Sequence, residues 1–115
     1  MNITSILGGG VIFIVGLLVL GACAKQPSAD DKMLVQGEAV FQKTCKACHA
    51  QGVNGAPIVG NSRMWGKRVA QGEGVLVQHA IAGYNNAMPP RGGNPALSDD
   101  DIKAAVHYMV AQLKK

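Results

Sequence analysis

The sequence has little cysteine and little aromatic material. Three cysteines in 115 residues cannot build a disulfide framework. The aromatic residues number one Trp, two Tyr and two Phe, and Phe13 lies in an N-terminal apolar run. The remaining domain, about 85 residues long, therefore has too few large apolar side chains for a strong core of its own. A buried cofactor would supply the missing hydrophobic volume.

The sequence also lacks long blocks of one charge and segments that alternate apolar and polar residues. Basic residues exceed acidic ones, for a net charge of +4, but they are scattered and are not interleaved with aromatic residues. Nucleic acid binding is therefore not expected. The basic residues are either ordinary solvated surface charge or a rim that steers acidic partners. The absence of alternation predicts an all-α fold with few or no strands.

No charged residue occurs in residues 1–24. As a helix, the apolar stretch 3–24 would be about 33 Å long, enough to cross a hydrocarbon core of about 30 Å. The alternative is a cleaved signal peptide, because Leu20-Gly21-Ala22-Cys23 resembles a bacterial lipobox and would make Cys23 a lipidated N-terminus. No Lys or Arg precedes this run, which favours a retained helix. Residues 25–31 are expected to form a polar linker, and residues 32–115 the following domain.

The strongest motif is Cys45-Lys46-Ala47-Cys48-His49, which has the C-x-x-C-H pattern of covalent haem attachment. Two thiols at this spacing can each form a thioether with a porphyrin vinyl group, and the adjacent imidazole can bind the iron. A zinc site needs four paired Cys or His ligands, which the chain does not offer. A redox dithiol needs a strand before the motif and a helix after it. Neither alternative fits, and haem c is the predicted cofactor.

A second motif, Ala87-Met88-Pro89-Pro90-Arg91-Gly92-Gly93, indicates a stiff loop that presents a methionine. Its thioether is a candidate sixth ligand of the iron. The other methionines of this region, Met33, Met64 and Met109, are interpreted as core residues. His79 and His107 are interpreted as satisfied or exposed histidines of helices.

Helical spacing is clearest at the two ends of the domain. A helix is expected from about residue 33 to 41, with Gly37 on its inner face. Another is expected after Ser98, with three aspartates in its first turn. Gly37 costs about 1 kcal/mol in a helix relative to Ala, which indicates a close approach of the second helix near Tyr108. Two short helices are expected between these ends, at about 61–71 and 75–82. The second is expected to face inward with Val75, Leu76, His79 and Ala80.

Together these motifs resemble the class I cytochromes c, most closely the small bacterial cytochrome c5 type, over residues 36–112. The resemblance implies crossed terminal helices and short helices around one haem. It also implies His49 and Met88 as iron ligands, with the carbonyl of Pro57 accepting a hydrogen bond from His49. Trp65 and Tyr84 would pack at the haem edge, where they could hydrogen-bond a propionate. The sequence departs from the c5 type in lacking a second cysteine pair after the methionine loop.

The implied function is single-electron transfer without enzymatic activity, by a cytochrome anchored in the bacterial inner membrane with its haem domain in the periplasm. Redox proteins such as a quinol-oxidising complex and a terminal oxidase are the expected partners. Two alternatives stay open: a haem subunit of a larger membrane redox complex, and a haem enzyme or gas sensor. The last requires an iron site that opens to ligands.

Overall fold

The structure is a computed structural model that describes residues 8–10 and 24–114. Residues 24–114 form five α-helices in this order: α1 Ala29–Val40, α2 Lys46–His49, α3 Ser62–Val69, α4 Glu73–Ala82 and α5 Asp99–Ala111. A π-helical segment, Phe41–Cys45, joins α1 to α2, and short 3-10 turns lie at Val53–Gly55, Pro90–Gly93 and Gln112–Lys114. Across the described ranges, the extended backbone pairs only at an isolated bridge between Tyr84 and Met88. The predicted all-α class is confirmed.

Matching capping boxes begin the two terminal helices. The hydroxyl of Ser28 accepts a hydrogen bond from the backbone N–H of Asp31, whose carboxylate accepts one from the N–H of Ser28. Ser98 and Asp101 repeat this arrangement at α5. These hydrogen bonds lower the pKa of both aspartates, since they favour the ionised carboxylate. Because the first box starts α1 at Ala29, the predicted linker 25–31 is wrong at its end: its last three residues are helical.

The terminal helices cross at Gly37, as predicted. A Cβ atom placed on Gly37 would lie 2.0 Å from the carbonyl oxygen of Ala104 and 2.8 Å from Cβ of Tyr108. The rings of Phe41 and Tyr108 pack beside this crossing, with their centroids 5.4 Å apart. A glycine therefore lets the two backbones approach to a distance that any side chain would prevent.

The shorter helices α3 and α4 fall close to their predicted positions. Asn61 caps α3 through its side-chain oxygen, which accepts from the N–H of Met64 at 3.1 Å. In α4, Leu76 and Ala80 are buried, but Val75 is 40% exposed, so its predicted inward orientation is wrong. The helix starts at Glu73. Val75 is the residue before the buried Leu76, and it lies on the side of the helix that faces solvent.

His107 on α5 joins three helices. Its Nε2 lies 2.9 Å from a carboxylate oxygen of Asp30 on α1, and its Nδ1 lies 3.0 Å from one of Glu73 on α4. Burial of the ring lowers the pKa of His107, but the hydrogen bonds to Glu73 and Asp30 outweigh burial and leave it above the usual 6.5. The prediction that this histidine is a satisfied helix residue is confirmed.

The buried core lines one cavity. It is built from apolar side chains of the π-helical segment, α3, α4 and α5: Phe41, Trp65, Leu76, Ala80, Ile102, Val106 and Met109. Several of these also border a cavity of about 250 Å³, among them Trp65, Leu76 and Met109. The core is thus arranged around a space, as expected for a domain that is short of large apolar residues.

Among residues 8–10 and 24–114, no helix is both long enough and apolar enough to cross a bilayer. The anchor predicted at residues 1–24 and the lipobox cysteine, Cys23, lie almost entirely outside the described ranges.

Candidate haem site

The C-x-x-C-H motif lies at the end of the long helical run that starts with α1. The π-helical segment widens the helix just before the motif, because the N–H of Lys46 donates to the carbonyl of Phe41, five residues earlier. Such π-helical turns often occur at functional sites. Residues three apart share a helix face, and both Cys45 and Cys48 border the cavity. The backbone thus presents the two thiols to the same space.

His49 is held in one orientation and one tautomer. Its side chain is buried, and its Nδ1 lies 2.9 Å from the carbonyl oxygen of Pro57. A carbonyl can only accept, so Nδ1 carries the proton and the lone pair lies on Nε2. The backbone carbonyl of His49 also accepts from the N–H of Val59 at 2.8 Å. The predicted contact with Pro57 is therefore present, and Nε2 is the nitrogen left for a metal.

Met88 reaches the cavity from a tight turn. Asn85 and Asn86 take left-handed backbone angles, with φ of 52° and 53°, which asparagine tolerates better than most residues. The N–H of Ala87 donates to the carbonyl of Tyr84, and Tyr84 and Met88 exchange two backbone hydrogen bonds of 2.9 and 3.0 Å. The half-buried Met88 side chain borders the cavity with Cys45, Cys48 and His49. All four of the principal predicted site residues thus meet there.

Two residues that hold the methionine loop in place, Arg91 and Gly83, were not identified from the sequence. Arg91, with φ of 55°, donates to the carbonyl of Leu97 at 2.9 Å and pairs with Asp99 at 2.5 Å, which ties the loop to the start of α5. Gly83 has φ of 85°, and a Cβ there would lie 3.0 Å from the carbonyl oxygen of Met88. The glycine after α4 signalled only a helix end, and nothing local in the sequence signalled its contact with the loop.

Trp65 borders the cavity, but its hydrogen bond differs from the prediction. Its indole N–H donates to the carbonyl of Ile58 at 2.8 Å, and its ring lies 6.0 Å from that of His49. Ile58 follows Pro57, so the indole fixes the same turn that orients His49. The predicted hydrogen bond from Trp65 to a propionate is therefore corrected: its one donor is already engaged.

Tyr84 lies at the open side of the cavity and is 42% exposed. Its ring stacks on that of His79, with centroids 4.2 Å apart and planes inclined by 23°. Both residues border the cavity. The predicted position of Tyr84 at the edge of the site fits this arrangement, and His79 joins it as a residue that sequence reasoning assigned to an ordinary helix face.

The charge around the cavity is low. Of the charged residues that the structure describes, Arg68 is the one Lys, Arg, Asp or Glu that lines it. Six other basic residues of the domain do not line it: Lys43, Lys46, Arg63, Lys67, Arg91 and Lys103. Burial raises the pKa of the Cys45 thiol, which disfavours the thiolate that a redox dithiol or zinc ligand needs. In the described part of the chain, no three His, Cys, Asp or Glu side chains are placed to hold a metal ion.

The residues at this cavity fit haem c. Two thiols at thioether spacing, an imidazole with its lone pair left on Nε2 and a thioether from a stiff loop all border one mainly apolar space. These are the groups that attach a porphyrin covalently and bind its iron from both sides.

Comparison with known proteins agrees with this geometry. The family described as cytochrome c oxidase, cbb3-type, subunit III matches residues 32–109. Cytochrome c-555 of Chlorobaculum thiosulfatiphilum is 42% identical over 81 residues, which span 68% of this chain and 94% of the relative. Cytochrome c5 of Azotobacter vinelandii is 45% identical over 76 residues, 64% of this chain and 89% of the relative.

A solved structure is similar over the same region. It is one chain of the crystal structure of an electron transfer complex of nitrite reductase with cytochrome c. The match has a TM-score of 0.64 and 38% identity, and covers 68% of this chain and 94% of the other. The chain therefore belongs to the class I monohaem cytochromes c, electron carriers rather than enzymes, and holds one haem c through Cys45 and Cys48.

Proposed function

We propose that the protein is a membrane-anchored carrier of single electrons whose haem iron is bound by His49 and Met88. The observation that carries the ligand assignment is the 2.9 Å hydrogen bond from His49 Nδ1 to the carbonyl of Pro57. It leaves Nε2 as the only metal-binding nitrogen of a buried ring whose cavity is shared by Met88 and both motif cysteines. When bound, the haem supplies an iron that cycles between its ferrous and ferric states.

The chain's own residues keep that site closed and rigid. The Pro57 carbonyl raises the basicity of the His49 ring and prevents its rotation. The hydrogen bonds between Tyr84 and Met88 and those of Arg91 hold the methionine loop in place. With both axial positions filled, no position is left for a substrate or gas, which favours electron transfer over the haem enzyme or sensor.

The ligand test must separate Met88 from Met109, because both border the cavity. Met109 is 3% exposed in the middle of α5 and packs in the core with Phe41, Ile102 and Val106, so we assign it to packing. Met88→Ala should abolish the weak red charge-transfer band of methionine-bound ferric haem, lower the reduction potential and allow carbon monoxide to bind the reduced protein. Met109→Leu, and the control Met64→Leu away from the cavity, should retain the band. Loss of the band in Met109→Leu but not in Met88→Ala would reverse the assignment.

The proposed location is the bacterial inner membrane, with the haem domain on the periplasmic side. Support comes from the sequence: residues 1–24 carry no charge, and covalent haem attachment in this family takes place outside the cytoplasm. The full chain should remain with the membrane through a carbonate wash, whereas a chain lacking residues 1–25 and exported by a foreign signal peptide should be released as a coloured soluble protein. Release of the intact chain by carbonate would contradict anchoring. Intact mass would distinguish a retained segment from cleavage and lipidation at Cys23.

Respiratory redox proteins are the proposed partners, among them a quinol-oxidising complex as donor and a terminal oxidase as acceptor. The similar structure, a cytochrome c in complex with nitrite reductase, supports docking onto a larger redox enzyme in general. Stopped-flow reduction and oxidation with purified candidate complexes would test each partner. A carrier should react with both a donor and an acceptor at rates that exceed the turnover rate of the respiratory chain.

The second candidate function is that of a haem subunit within a larger membrane redox complex. The match to a family described as an oxidase subunit favours it. Mild detergent extraction discriminates between the two functions. A carrier elutes from a sizing column alone, whereas a subunit elutes together with other haem or copper proteins in fixed ratio.

A further inference from the structure

His79 is the one histidine of the chain whose two ring nitrogens both lack a hydrogen-bond partner in the described structure. His49 bonds the carbonyl of Pro57 through Nδ1, and each ring nitrogen of His107 contacts a carboxylate. Within residues 8–10 and 24–114, no such contact reaches either nitrogen of His79. An imidazole binds a metal through an unprotonated nitrogen that no other group occupies. His79 therefore keeps its capacity to bind one.

The side chain of His79 borders the haem cavity beside the methionine loop. It follows Leu76 by about one turn of α4, is half-buried and lines the cavity together with Met88. Its ring stacks on that of Tyr84, with centroids 4.2 Å apart, and the backbone of Tyr84 exchanges two hydrogen bonds with that of Met88. The free imidazole thus lies next to the turn that presents the proposed sixth ligand.

The other groups that line the cavity are poor substitutes for Met88. The described lining contains no lysine, and the guanidinium group of Arg68 stays protonated and has no lone pair to offer. Met109 is 3% exposed and is packed in the core. Tyr84 must lose its phenolic proton before it can bind iron. His79 is therefore the lining group best suited to bind the iron when Met88 does not.

We propose that His79 is a reserve ligand, which takes the sixth position of the haem iron when Met88 leaves it. This inference rests on the proposed ligation by His49 and Met88. In the exchange, the bond from the Met88 sulfur to the iron breaks and a bond from an uncharged ring nitrogen of His79 forms, with no transfer of an electron or a proton. The iron keeps six ligands, although carbon monoxide can still displace the imidazole from the ferrous form. Because a methionine ligand raises the potential of haem iron, the exchange lowers it.

The experiment compares three ferric haem proteins at pH 8: Met88→Ala, Met88→Ala with His79→Gln, and Met88→Ala with His107→Gln. The last is the matched control, because it also removes one imidazole but from a position that does not line the cavity. Electron paramagnetic resonance and near-infrared magnetic circular dichroism distinguish low-spin iron with two imidazole ligands from high-spin iron. Met88→Ala and the His107 control should both be low-spin, and the variant with His79→Gln should be high-spin. The same spectrum with and without His79 would overturn the proposal.

The same spectra separate this inference from the proposed function. A methionine–iron band that persists in Met88→Ala would overturn the ligation by Met88, and this inference with it. High-spin iron in Met88→Ala, with the methionine–iron band lost, would overturn the role of His79 and leave the ligation by Met88 intact.

A second measurement applies if Met88→Ala does not accumulate as a haem protein. Wild type, His79→Gln and His107→Gln are then compared, each at the urea concentration that halves its methionine–iron band. The iron that has lost methionine should be low-spin in wild type and in His107→Gln, and high-spin in His79→Gln. Low-spin iron with two imidazole ligands in His79→Gln would overturn the proposal.

Discussion

Replacing Gly37 with alanine separates helix propensity from helix packing. In an isolated helix this change stabilises the helix by about 1 kcal/mol, because alanine loses less backbone entropy than glycine when the helix forms. Here the added Cβ would lie 2.0 Å from the carbonyl oxygen of Ala104 and 2.6 Å from its carbonyl carbon. These are main-chain atoms within α5, so no side-chain rotation relieves the overlap.

The size of the effect follows from how far the helices must separate. Carbon and carbonyl oxygen atoms in close contact lie about 3.3–3.6 Å apart, so α1 and α5 would have to move apart by roughly 1.3 Å or more. A gap of 0.5–1 Å already loses a quarter to a half of the dispersion energy of each contact pair. Overpacking of a core typically costs about 1–3 kcal/mol, and this overlap belongs at the upper end. After the gain in propensity, we expect a net loss of about 2 kcal/mol in the free energy of unfolding.

The assays are urea unfolding, which gives the free energy of unfolding, and thermal unfolding, which gives Tm; both follow the haem protein by Soret absorbance and by circular dichroism. A loss of about 2 kcal/mol would lower Tm by roughly 8–16 °C for a domain of this size. Gly66→Ala is the matched control: Gly66 lies within α3, and a Cβ there meets no atom within 4 Å. It should stabilise by about 1 kcal/mol through propensity alone. If Gly37→Ala stabilised the protein as much as Gly66→Ala does, the close crossing of α1 and α5 would be refuted.

Two further predictions concern the methionine loop and pH. Gly83→Ala should displace the loop and weaken the Met88–iron band, because its Cβ would lie 3.0 Å from the Met88 carbonyl; Gly72→Ala, with a similarly positive φ of 93° but no atom within 4 Å, should lose stability without changing the band. A band of equal strength in both variants would argue against the contact. The pKa of His107 is higher in the folded protein than the usual 6.5. Its two hydrogen bonds to carboxylates therefore stabilise the fold fully below about pH 6.5, and this stabilisation is lost as the pH rises through the pKa of His107 in the folded protein. The difference in Tm between wild type and His107→Gln should therefore shrink from pH 6 to pH 9, and a constant difference would contradict it.

The sequence alone predicted those features of the fold and the site whose physical cause lies in neighbouring residues or in the chemistry of a motif. Thioether spacing identified Cys45, Cys48 and His49, and proline with glycine identified the stiff loop of Met88. Ser98 predicted the start of α5, because the hydrogen bonds that cap a helix join residues no more than three positions apart. The close approach of the terminal helices at Gly37 was also predicted, since a glycine destabilises a helix and is expected there only where another backbone passes close by. Its contact with Tyr108 followed from helix periodicity.

Only the tertiary structure decided which groups meet across elements that are distant in the chain. Periodicity gave no direction for the Trp65 indole, which binds Ile58 rather than a propionate, and no sign that Arg68 faces the cavity while Lys67 faces solvent. Likewise, nothing in the sequence indicated that His107 joins three helices. Local hydrogen bonds and helix periods are set by residues within one or two turns, whereas these contacts depend on the angle at which packed helices cross, and that angle is determined only when the whole core assembles.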